Sequence, residues 1–350
     1  MTLHQDKKMF SDVLRSASEH LNIKLEFIEK DYWITYVLSH LAKSKYVADA
    51  VFKGGTSLSK GYALIERFSE DVDIAIINDN RKSGNEIKTI IRAIEKEITP
   101  GLTEIQMDGV TSKGSRYRKS VFEYNTINAT AIKNNKLIVE VNSFANPFPF
   151  QPLTIKSFVF DYFTQTNNEQ YIELYNLQSF DINVLSKEQT LLEKMVSLIR
   201  FSFDENAVES ISMKIRHFYD LYFLMNDLDC LAFVASDEFK KQFDAILQHD
   251  KEMFEEPLGW QNKSISESPL IVDFTSIWKE LKVKYETELS AFAYRPIPYH
   301  EKVAATFIKL LKNVCANSKN VFSFGFGFTN VQSIAPGYGY GEVNPVLGIG

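Results

Sequence analysis

The stretch from Val51 to Ile76, VFKGGTSLSKGYALIERFSEDVDIAI, constrains the fold more than any other part of the chain. Its first residues are apolar and stop at the adjacent glycines Gly54 and Gly55, which predicts a short strand that ends in a turn. A helix is predicted to begin at Thr56, which can serve as its N-cap. The residues after the helix alternate and then become apolar, as in a second strand that enters a core. One short helix therefore joins the glycine turn to this second strand.

The second strand carries two acids, Asp71 and Asp73, separated by one residue. Alternate residues of a strand project to the same face, so we expect both carboxylates on one side of the sheet. Like charges this close repel unless a cation lies between them, and Mg²⁺ suits the position because it takes oxygen ligands and retains substrate phosphates. Glu140, inside the apolar run KLIVEVNSF, can reach the same metal if the two strands pair. An aspartate pair alone is a weak signal, since surface strands often carry one.

The glycine turn can bind negative charge next to these acids. Without Cβ atoms, Gly54 and Gly55 let the backbone approach a ligand closely, and the N–H groups of a helix N-terminus favour anions. A triphosphate at this turn, with Mg²⁺ (or alternatively Mn²⁺) on Asp71 and Asp73, is a nucleotide-transfer arrangement in which attack on the α-phosphate expels pyrophosphate. Basic residues around the turn could contact the phosphates or simply be solvated. They are Lys53, Lys60 and Arg67, of which Arg67 is nearest to the acids.

The order of predicted elements indicates an α+β protein. Helices are predicted up to residue 50, strands in YRKSVFEYNT and KLIVEVNSF, and helices again from Ser186 onward. This order predicts a small mixed sheet with flanking helices, followed by a helical domain. We place the first domain at residues 1–180 and the helical domain at 181–320. Residues 321–350 are rich in glycine and aromatics and contain no lysine or arginine, a composition typical of a disordered or loosely attached tail.

Composition excludes several classes of protein. The net charge of −6 argues against a protein that coats nucleic acid, although a local basic patch could still bind it. The one dense basic run, SKGSRYRKS, could grip RNA, with Tyr117 stacking on a base, or could guard an edge strand. No apolar run reaches 18 residues and the N-terminus lacks an apolar h-region, so we expect no membrane span and a cytoplasmic protein. Cys230 and Cys315 match no metal spacing and are expected to be reduced, buried thiols.

Several stretches together resemble the AbiEii/AbiGii type of nucleotidyltransferase toxin, a family that includes the MenT toxins. The resembling stretches are FKGGTSLSKGY, ERFSEDVDIAI, EFIEKDYWITYVLSHL, LLEKMVSLIRFS and RHFYDLYFL. They extend from about Leu25 to Leu224 and are far more specific together than singly. The resemblance implies a polymerase-β-like nucleotidyltransferase domain, with a C-terminal helical domain that contributes to the active site.

The resemblance also implies roles for individual residues. The Gly-Gly-Thr segment of the family holds nucleotide phosphate and its D-x-D acids bind metal. Glu140 takes the third-carboxylate position, where polymerase-like sites more often have aspartate. Two further residues belong to the implied active site, the lysine of the EKM helix and the aspartate of the YDL helix. The matching residues here are Gly54, Gly55, Thr56, Asp71, Asp73, Lys194 and Asp220.

Lys194 and Asp220 can also be interpreted physically. Lys194 lies at the margin of the apolar stripe of its helix, where its ammonium can either reach solvent or point into a cleft and meet a triphosphate. Asp220 lies in the apolar run HFYDLYFLM and is expected to be partly buried, so it needs a partner. Arg216, Lys194 or the substrate could be that partner, and a solvated ion pair with Arg216 four residues earlier is the simplest alternative.

These observations lead to one main hypothesis and two alternatives. The main hypothesis is a Mg²⁺-dependent toxin of a type IV toxin–antitoxin or abortive-infection system that transfers an NMP from an NTP to an acceptor. The resemblance suggests the 3′ end of tRNA as acceptor and a separately encoded antitoxin as partner. The first alternative is a module that binds GTP or another NTP and acts through a partner. The second is a transferase that modifies protein hydroxyls. The sequence shows no recognisable pocket for the nucleobase, so it does not specify which NTP is used.

Overall fold

A mixed β-sheet organises the part of the chain that the computed structural model describes, residues 1–78, 82–127 and 135–315. Its strands are β1 (Ala50–Lys53), β2 (Asp71–Ile76), β3 (Thr103–Ile105), β4 (Ser112–Lys113), β5 (Tyr117–Glu123), β6 (Lys136–Asn142), β7 (Phe150–Ile155) and β8 (Phe180–Leu185). They are ordered β3-β5-β6-β2-β1-β8-β7, and β4 pairs with β5. The pairs β1–β8 and β2–β6 are parallel and the others antiparallel. The predicted mixed sheet is thus confirmed.

The central strands explain why the sheet has one apolar and one polar face near the glycine turn. Val51 and Phe52 on β1 are both fully buried, as expected for a strand covered on both faces. On β2 the alternation is strict at the start, where Val72 and Ile74 are fully buried in the core formed with the N-terminal helices. The intervening acids of β2 therefore project to the opposite face.

Helices from the first half of the chain cover the apolar face. They are α1 (Lys7–Leu21), α2 (Leu25–Lys43), α4 (Gly84–Ile98), α5 (Phe158–Gln165) and α6 (Gln170–Leu174). Their buried side chains form one hydrophobic cluster with the inner residues of the strands. The short helix α3 (Gly54–Lys60) follows β1 and contacts both β1 and β2.

The second half of the chain is helical and forms a separate hydrophobic cluster. Its helices are α7 (Lys187–Phe201), α8 (Ala207–Ser212), α9 (Ile215–Leu224), α10 (Leu228–Val234), α11 (Asp237–Met253), α12 (Pro269–Val272), α13 (Phe274–Phe292) and α14 (His300–Cys315). Leu58 of α3 and Ile65 belong to this cluster, so the segment after the glycine turn packs directly on the helical region. Cys230 and Cys315 are free and buried here, as predicted.

The change from sheet to helices falls close to the predicted domain boundary. Residues Phe180–Leu185 still form a strand, β8, and the first helix of the helical region begins at Lys187. The division at residues 180 and 181 stays a prediction. The predicted tail at residues 321–350 lies outside the described residues. Among the helices that the structure describes, none combines the length and the apolar character needed to span a membrane.

Candidate active site

The register of the sheet places four charged residues in one row across neighbouring strands. Asp73 on β2 lies opposite Glu140 on β6 and opposite Lys53 on β1. Glu140 in turn lies opposite Lys119 on β5. The two acids are therefore flanked by one lysine on each side. Asp71 lies two residues before Asp73 and shares its face, so the expected pairing of the two strands brings all three acids together.

The carboxylates of β2 are crowded by each other and by Glu140. Burial raises the pKa of Asp73 well above its usual range, and the charges of Glu140 and Asp71 raise it further, against the opposing effect of Lys53. Burial also raises the pKa of Asp71, although Lys119 and Arg216 oppose this shift. Within the described residues, neither aspartate forms a salt bridge, because Lys53 pairs with Glu193 of α7 at 2.9 Å and Lys119 lies 3.7 Å from Glu140. These two acids are consequently suited to bind a cation.

The glycine turn is packed against these acids. Gly54 has a φ of +80°, and a Cβ at this position would overlap Oδ2 of Asp73. A Cβ on Gly55 would lie 2.7 Å from Nη2 of Arg67, which is too close, because hydrogen bonds to Asp220 hold this guanidinium in place. Both glycines are therefore required by the close approach of charged groups, and Gly54 additionally by its backbone conformation.

The predicted start of the following helix is wrong. Helix α3 begins at Gly54 rather than Thr56, and no side chain caps its N-terminus. Thr56 is buried, and its hydroxyl donates a hydrogen bond to the backbone carbonyl oxygen of Asp71. This bond joins the first turn of α3 to the start of β2. Thr56 thus helps to hold the glycine turn beside the acids, while its predicted contact with phosphate stays a prediction.

Asp220 on α9 is the centre of a buried ionic cluster. Its side chain is completely buried and accepts hydrogen bonds from Nε and Nη2 of Arg67, both at 2.7 Å. Nζ of Lys194 on α7 lies 2.8 Å from the same carboxylate. Burial opposes ionisation of Asp220, but the charges of Arg67 and Lys194 outweigh it and hold its pKa below the usual range. Arg67, Lys194 and Asp220 are called the buried clamp below.

The buried clamp settles which partner Asp220 has. Lys194 was one of the three predicted candidates and is confirmed as a contact. Arg216 is not the partner, because its Nε lies 3.6 Å from Glu288 of α13 instead. Arg67 was predicted to contact phosphate, yet it is only 3% exposed and each of its guanidinium nitrogens already donates a hydrogen bond, two to Asp220 and one to the carbonyl of Phe68. Its phosphate role stays a prediction, and its hydrogen bonds attach the segment before β2 to α9 through Asp220.

A cleft of about 380 Å³ lies between the polar face of the sheet, the glycine turn and helices α7 and α9. Gly54, Gly55, Asp71, Asp73 and Glu140 line one side of it. Basic side chains of the helical region line the opposite side. They are Lys194, Arg200, Lys214 and Arg216, of which Arg200 and Lys214 were not predicted from the sequence. The cleft can therefore hold a ligand that carries phosphates and a divalent cation together.

His217 is a further cleft residue that sequence reasoning missed. Burial lowers its pKa well below the usual range, and the charge of Lys194 lowers it further, so the imidazole is neutral. The run KIRH, residues 214–217, is the sequence signal that could have identified these cleft residues, because it places three basic or titratable side chains within six residues of Asp220.

Three of the four cations in the basic run around Tyr117 lie beside acids, whereas Arg116 is exposed and forms no salt bridge in the described part of the chain. Lys113 pairs with Glu104 and Arg118 with Glu95, while Lys119 lies beside Glu140. The ring of Tyr117 packs near Phe144 at 5.7 Å, and its hydroxyl donates a hydrogen bond to Glu140. The ion pairs favour the structural interpretation of this run over a grip on RNA.

The fold and the site define an α+β protein with a cleft that has acids on one side, basic residues on the other and a glycine turn at its border. Over residues 36–305 the sequence matches the family described as nucleotidyl transferase AbiEii toxin, type IV TA system. The match spans most of the chain, so the protein belongs to this family and is a nucleotidyltransferase, as the resemblance predicted.

Solved structures similar to this chain have low sequence identity. A proposed nucleotidyltransferase from H. pylori shows 16% identity and a TM-score of 0.35, and the alignment covers 77% of this chain and 97% of that one. JHP933 from Helicobacter pylori shows 16% identity and a TM-score of 0.31, with coverage of 77% and 98%. An antigenic nucleotidyltransferase-like protein from Paracoccidioides brasiliensis shows 17% identity and a TM-score of 0.31, with coverage of 63% and 89%. No curated protein matches the sequence significantly.

Proposed function

We propose that this protein is a toxin that transfers a nucleoside monophosphate from an NTP to an acceptor hydroxyl, in a Mg²⁺-dependent reaction, with the 3′ end of tRNA as acceptor. One observation carries the proposal. Asp71 and Asp73 have raised pKa values, form no salt bridge in the described part of the chain, and face a cleft whose opposite wall is basic. Membership in a nucleotidyltransferase toxin family supports the reaction class.

The residues present fit a divalent cation held mainly by two carboxylates. The mutual repulsion of Asp71 and Asp73 is relieved when a cation lies between them. The described residues contain no group of three or more histidine, cysteine, aspartate or glutamate side chains that could hold a metal by themselves. Mg²⁺ commonly takes one or two carboxylates and completes its shell with water and substrate phosphate, and Mn²⁺ is an alternative. Glu140 remains the candidate third ligand, although its carboxylate already contacts Tyr117 and Lys119. Bound Mg²⁺ would neutralise charge on the phosphates.

The triphosphate would lie between the glycine turn and the basic wall. Gly54 and Gly55 allow phosphate oxygens to approach the backbone, because neither carries a Cβ. Lys214 and Arg216 line the opposite side and can bind the outer phosphates as charged donors. Lys194 can take part as well, since an ammonium has three donor protons and the contact with Asp220 uses only one direction.

Proton removal from the acceptor hydroxyl requires a base close to the acids of β2. One of the two carboxylates of β2 would help to take up this proton. Asp73, which lies opposite Glu140 in the register of the sheet, is our candidate for this step. Arg67 and Asp220 of the buried clamp do not touch the reacting groups in this scheme. Together with Lys194 they hold α7 and α9 over the sheet.

The acceptor and the partner are inferred from the family rather than from a surface feature. The MenT-like resemblance favours the 3′ end of tRNA, where an added nucleotide would block aminoacylation and stop translation. A toxin of this kind needs restraint in its own cell. Membership in a type IV toxin–antitoxin family supports a separately encoded antitoxin protein as that partner.

The test incubates the full chain with each NTP labelled at the α-phosphate, Mg²⁺ and total tRNA. Label should enter tRNA with the wild-type protein and not with Asp73→Asn. Asp244→Asn, which changes an exposed aspartate paired with Lys240 on α11, is the matched control and should transfer label normally. Absence of label in any acceptor, with a folded protein and all four NTPs, would overturn the proposal.

Two other outcomes of this assay identify the alternatives. Label that enters protein and not RNA would indicate modification of a protein hydroxyl. NTP that stays bound and unconsumed would indicate a nucleotide-binding module that acts through a partner. Lys113 and Arg118 of the basic run form salt bridges, which weakens the case for RNA as the acceptor. Modification of a protein hydroxyl is therefore an alternative worth testing.

A further inference from the structure

Helix α2 buries three consecutive charged residues. Glu29 and Asp31 are each 1% exposed, and Lys30 is 6% exposed. Acids and lysines are almost never buried this deeply unless they are paired. Glu29 accepts hydrogen bonds from the hydroxyl of Thr126 and the backbone N–H of Ile127. The partners of the other two lie at the two ends of the segment that joins the glycine turn and its helix to the acids of β2.

Asp31 holds the end of α3. Nζ of Lys60, the last residue of that helix, lies 2.6 Å from Oδ1 of Asp31 and also donates to the carbonyl of Lys156. The backbone N–H of Phe158 donates to Oδ2 of Asp31 at 2.8 Å. The sequence left open whether Lys60 contacts phosphate or is solvated. In the fold its side chain is 8% exposed and ties the helix of the glycine turn to α2.

Lys30 holds the start of β2. Its Nζ lies 2.7 Å from Oε1 of Glu70, the residue directly before Asp71. Successive residues of a strand alternate in direction, and the contact of Glu70 with α2 agrees with this, because α2 covers the face opposite the cleft. A shift of one residue would bring Glu70 into the cleft in place of Asp71. Such a shift would also leave the ammonium of Lys30 buried without a partner, so the ion pair opposes it.

The segment between these two anchors, residues 61–70, is also held close to β2. The ring of Phe68 stacks on Phe27 of α2, with centroids 5.0 Å apart and an angle of 3° between the planes. The backbone N–H of Phe68 donates to the carbonyl of Phe292, the last residue of α13, at 2.8 Å. Arg67 is held by the buried clamp. The helix of the glycine turn and the acids of β2 are therefore fixed relative to each other through α2.

We propose that Lys30 and Asp31 are positioning residues for nucleotide transfer, which set the distance between the glycine turn and the acids of β2 by anchoring both ends of residues 61–70 to one helix. This inference rests on the proposed function, in which phosphate at the turn and a cation on the acids are bound together. A cation can join phosphate to carboxylates only when the two sites are correctly spaced. Neither residue touches the ligand in this scheme, so their removal should weaken the coupling between cation and phosphate binding.

The test measures binding of inorganic tripolyphosphate to the full chain by calorimetry, once in Mg²⁺ and once in a chelator. Mg²⁺ should strengthen binding to the wild type by about tenfold, because the cation joins the phosphates to the acids of β2. Lys30→Met keeps the apolar stem without the charge and should reduce this gain to within about threefold. Lys30→Arg keeps a cation that can pair with Glu70 and should retain the gain.

The matched control is an ion pair at the other end of β2. Lys82 pairs with Asp49 at 2.8 Å and donates to the carbonyl of Ile77, directly after the strand ends. Lys82→Met should therefore keep the full Mg²⁺ gain. Lys60→Met removes the anchor on Asp31 and should reduce the gain as Lys30→Met does.

Transfer kinetics give a readout that a merely structural role would not change. On folded protein, well below the unfolding transition, Lys30→Met should lower kcat by about 10–100-fold, because the reacting groups are misplaced. The KM for the NTP should stay within about threefold of the wild type, since the phosphate-binding groups are intact. Lys82→Met should change neither value. Should Lys30→Met fail to fold, Glu70→Gln replaces it, because this residue is about one-third exposed, and it should reduce the Mg²⁺ gain as well.

The outcomes separate this inference from the proposed function. An equal Mg²⁺ gain in the wild type and Lys30→Met would overturn the positioning role even if label transfer succeeds. A gain lost in Lys82→Met as well would also overturn it, because the loss would then follow from general destabilisation. A gain that Lys30→Met removes and Lys30→Arg keeps supports the inference even if no acceptor is labelled. No gain in the wild type would overturn the proposed site for cation and phosphate, and this inference with it.

Discussion

Two sets of buried aspartates in this molecule have opposite electrostatic surroundings. Asp220 has two cationic partners within 2.8 Å, and its pKa is held below the usual range. Asp71 and Asp73 have no salt-bridge partner in the described residues, and their pKa values are raised. Burial raises the pKa of all three, so the difference comes from the neighbouring charges. A buried carboxylate that the fold has already neutralised stabilises the structure, whereas one left unneutralised is available to a ligand.

The largest effect is expected from removing the carboxylate of the buried clamp. Asp220→Ala leaves Arg67 and Lys194 as buried cations without a partner, which should lower the free energy of unfolding by about 3–5 kcal/mol. Denaturant unfolding followed by circular dichroism measures this change. The exposed ion-pair variant Asp244→Ala is the control and should cost less than about 1 kcal/mol. A loss as small as the control's would show that the clamp does not stabilise the fold.

The opposite result is expected at the acids of β2. Asp73→Asn removes a charge that burial and its acidic neighbours already disfavour, so the free energy of unfolding should stay the same or rise. Label transfer should nevertheless fall by about 10²–10³-fold, since metal-assisted charge stabilisation contributes several kcal/mol to such reactions. Unfolding curves and initial rates on the same protein preparation give both numbers. A variant that loses stability and activity together would remove the distinction between the two sets of aspartates.

The sequence predicts the surroundings of Asp71 and Asp73 well. Gly54, Gly55, Asp71 and Asp73 lie within one short stretch, and their relation follows from strand alternation and the conformational freedom of glycine. The position of Glu140 beside Asp73 also follows once β2 and β6 are assumed to pair, and the register confirms it.

The buried clamp could not be predicted in the same way. Arg67 and Asp220 are 153 residues apart, and their contact depends on how α9 packs over the segment before β2. The sequence offered Arg216 as a nearer partner, because helical spacing is visible locally and tertiary packing is not. The start of α3 was misplaced for a related reason. Thr56 looks like a helix cap, but its hydroxyl is used by the backbone of Asp71 in the folded protein.

A smaller effect is expected at the glycine that lies against Asp73. Gly54→Ala introduces a Cβ at a positive φ and into overlap with the Asp73 carboxylate, so the free energy of unfolding should fall by about 1–3 kcal/mol. Gly101→Ala is the matched control, since Gly101 has a similar φ of +77° with open space around a Cβ. Gly54→Ala should therefore cost more than Gly101→Ala, and the difference measures the steric part. Equal losses would mean that Asp73 moves aside freely.

The smallest effect is expected in the pH dependence of stability, where the two sets of aspartates should act in opposite directions. The lowered pKa of Asp220 contributes stability above the pKa of about 3.9 that an unfolded aspartate has, and this share is lost as the pH falls further. The raised pKa of Asp73 means that the folded protein binds the proton more tightly than the unfolded chain. Its contribution is therefore complete below about pH 3.9 and is lost as the pH rises through the raised value.

Unfolding measured from pH 4 to 8 in a chelator tests the Asp73 part of this dependence. The wild type should lose more stability with rising pH than Asp73→Asn does, because only the wild type takes up a proton at this carboxylate on folding, and that uptake becomes less favourable as the pH rises. Adding Mg²⁺ at pH 8 should then stabilise the wild type more than the variant, since a ligand that binds only the folded state raises its stability. Parallel pH curves for the two proteins, together with an equal response to Mg²⁺, would show that Asp73 is already neutralised by the fold, as Asp220 is.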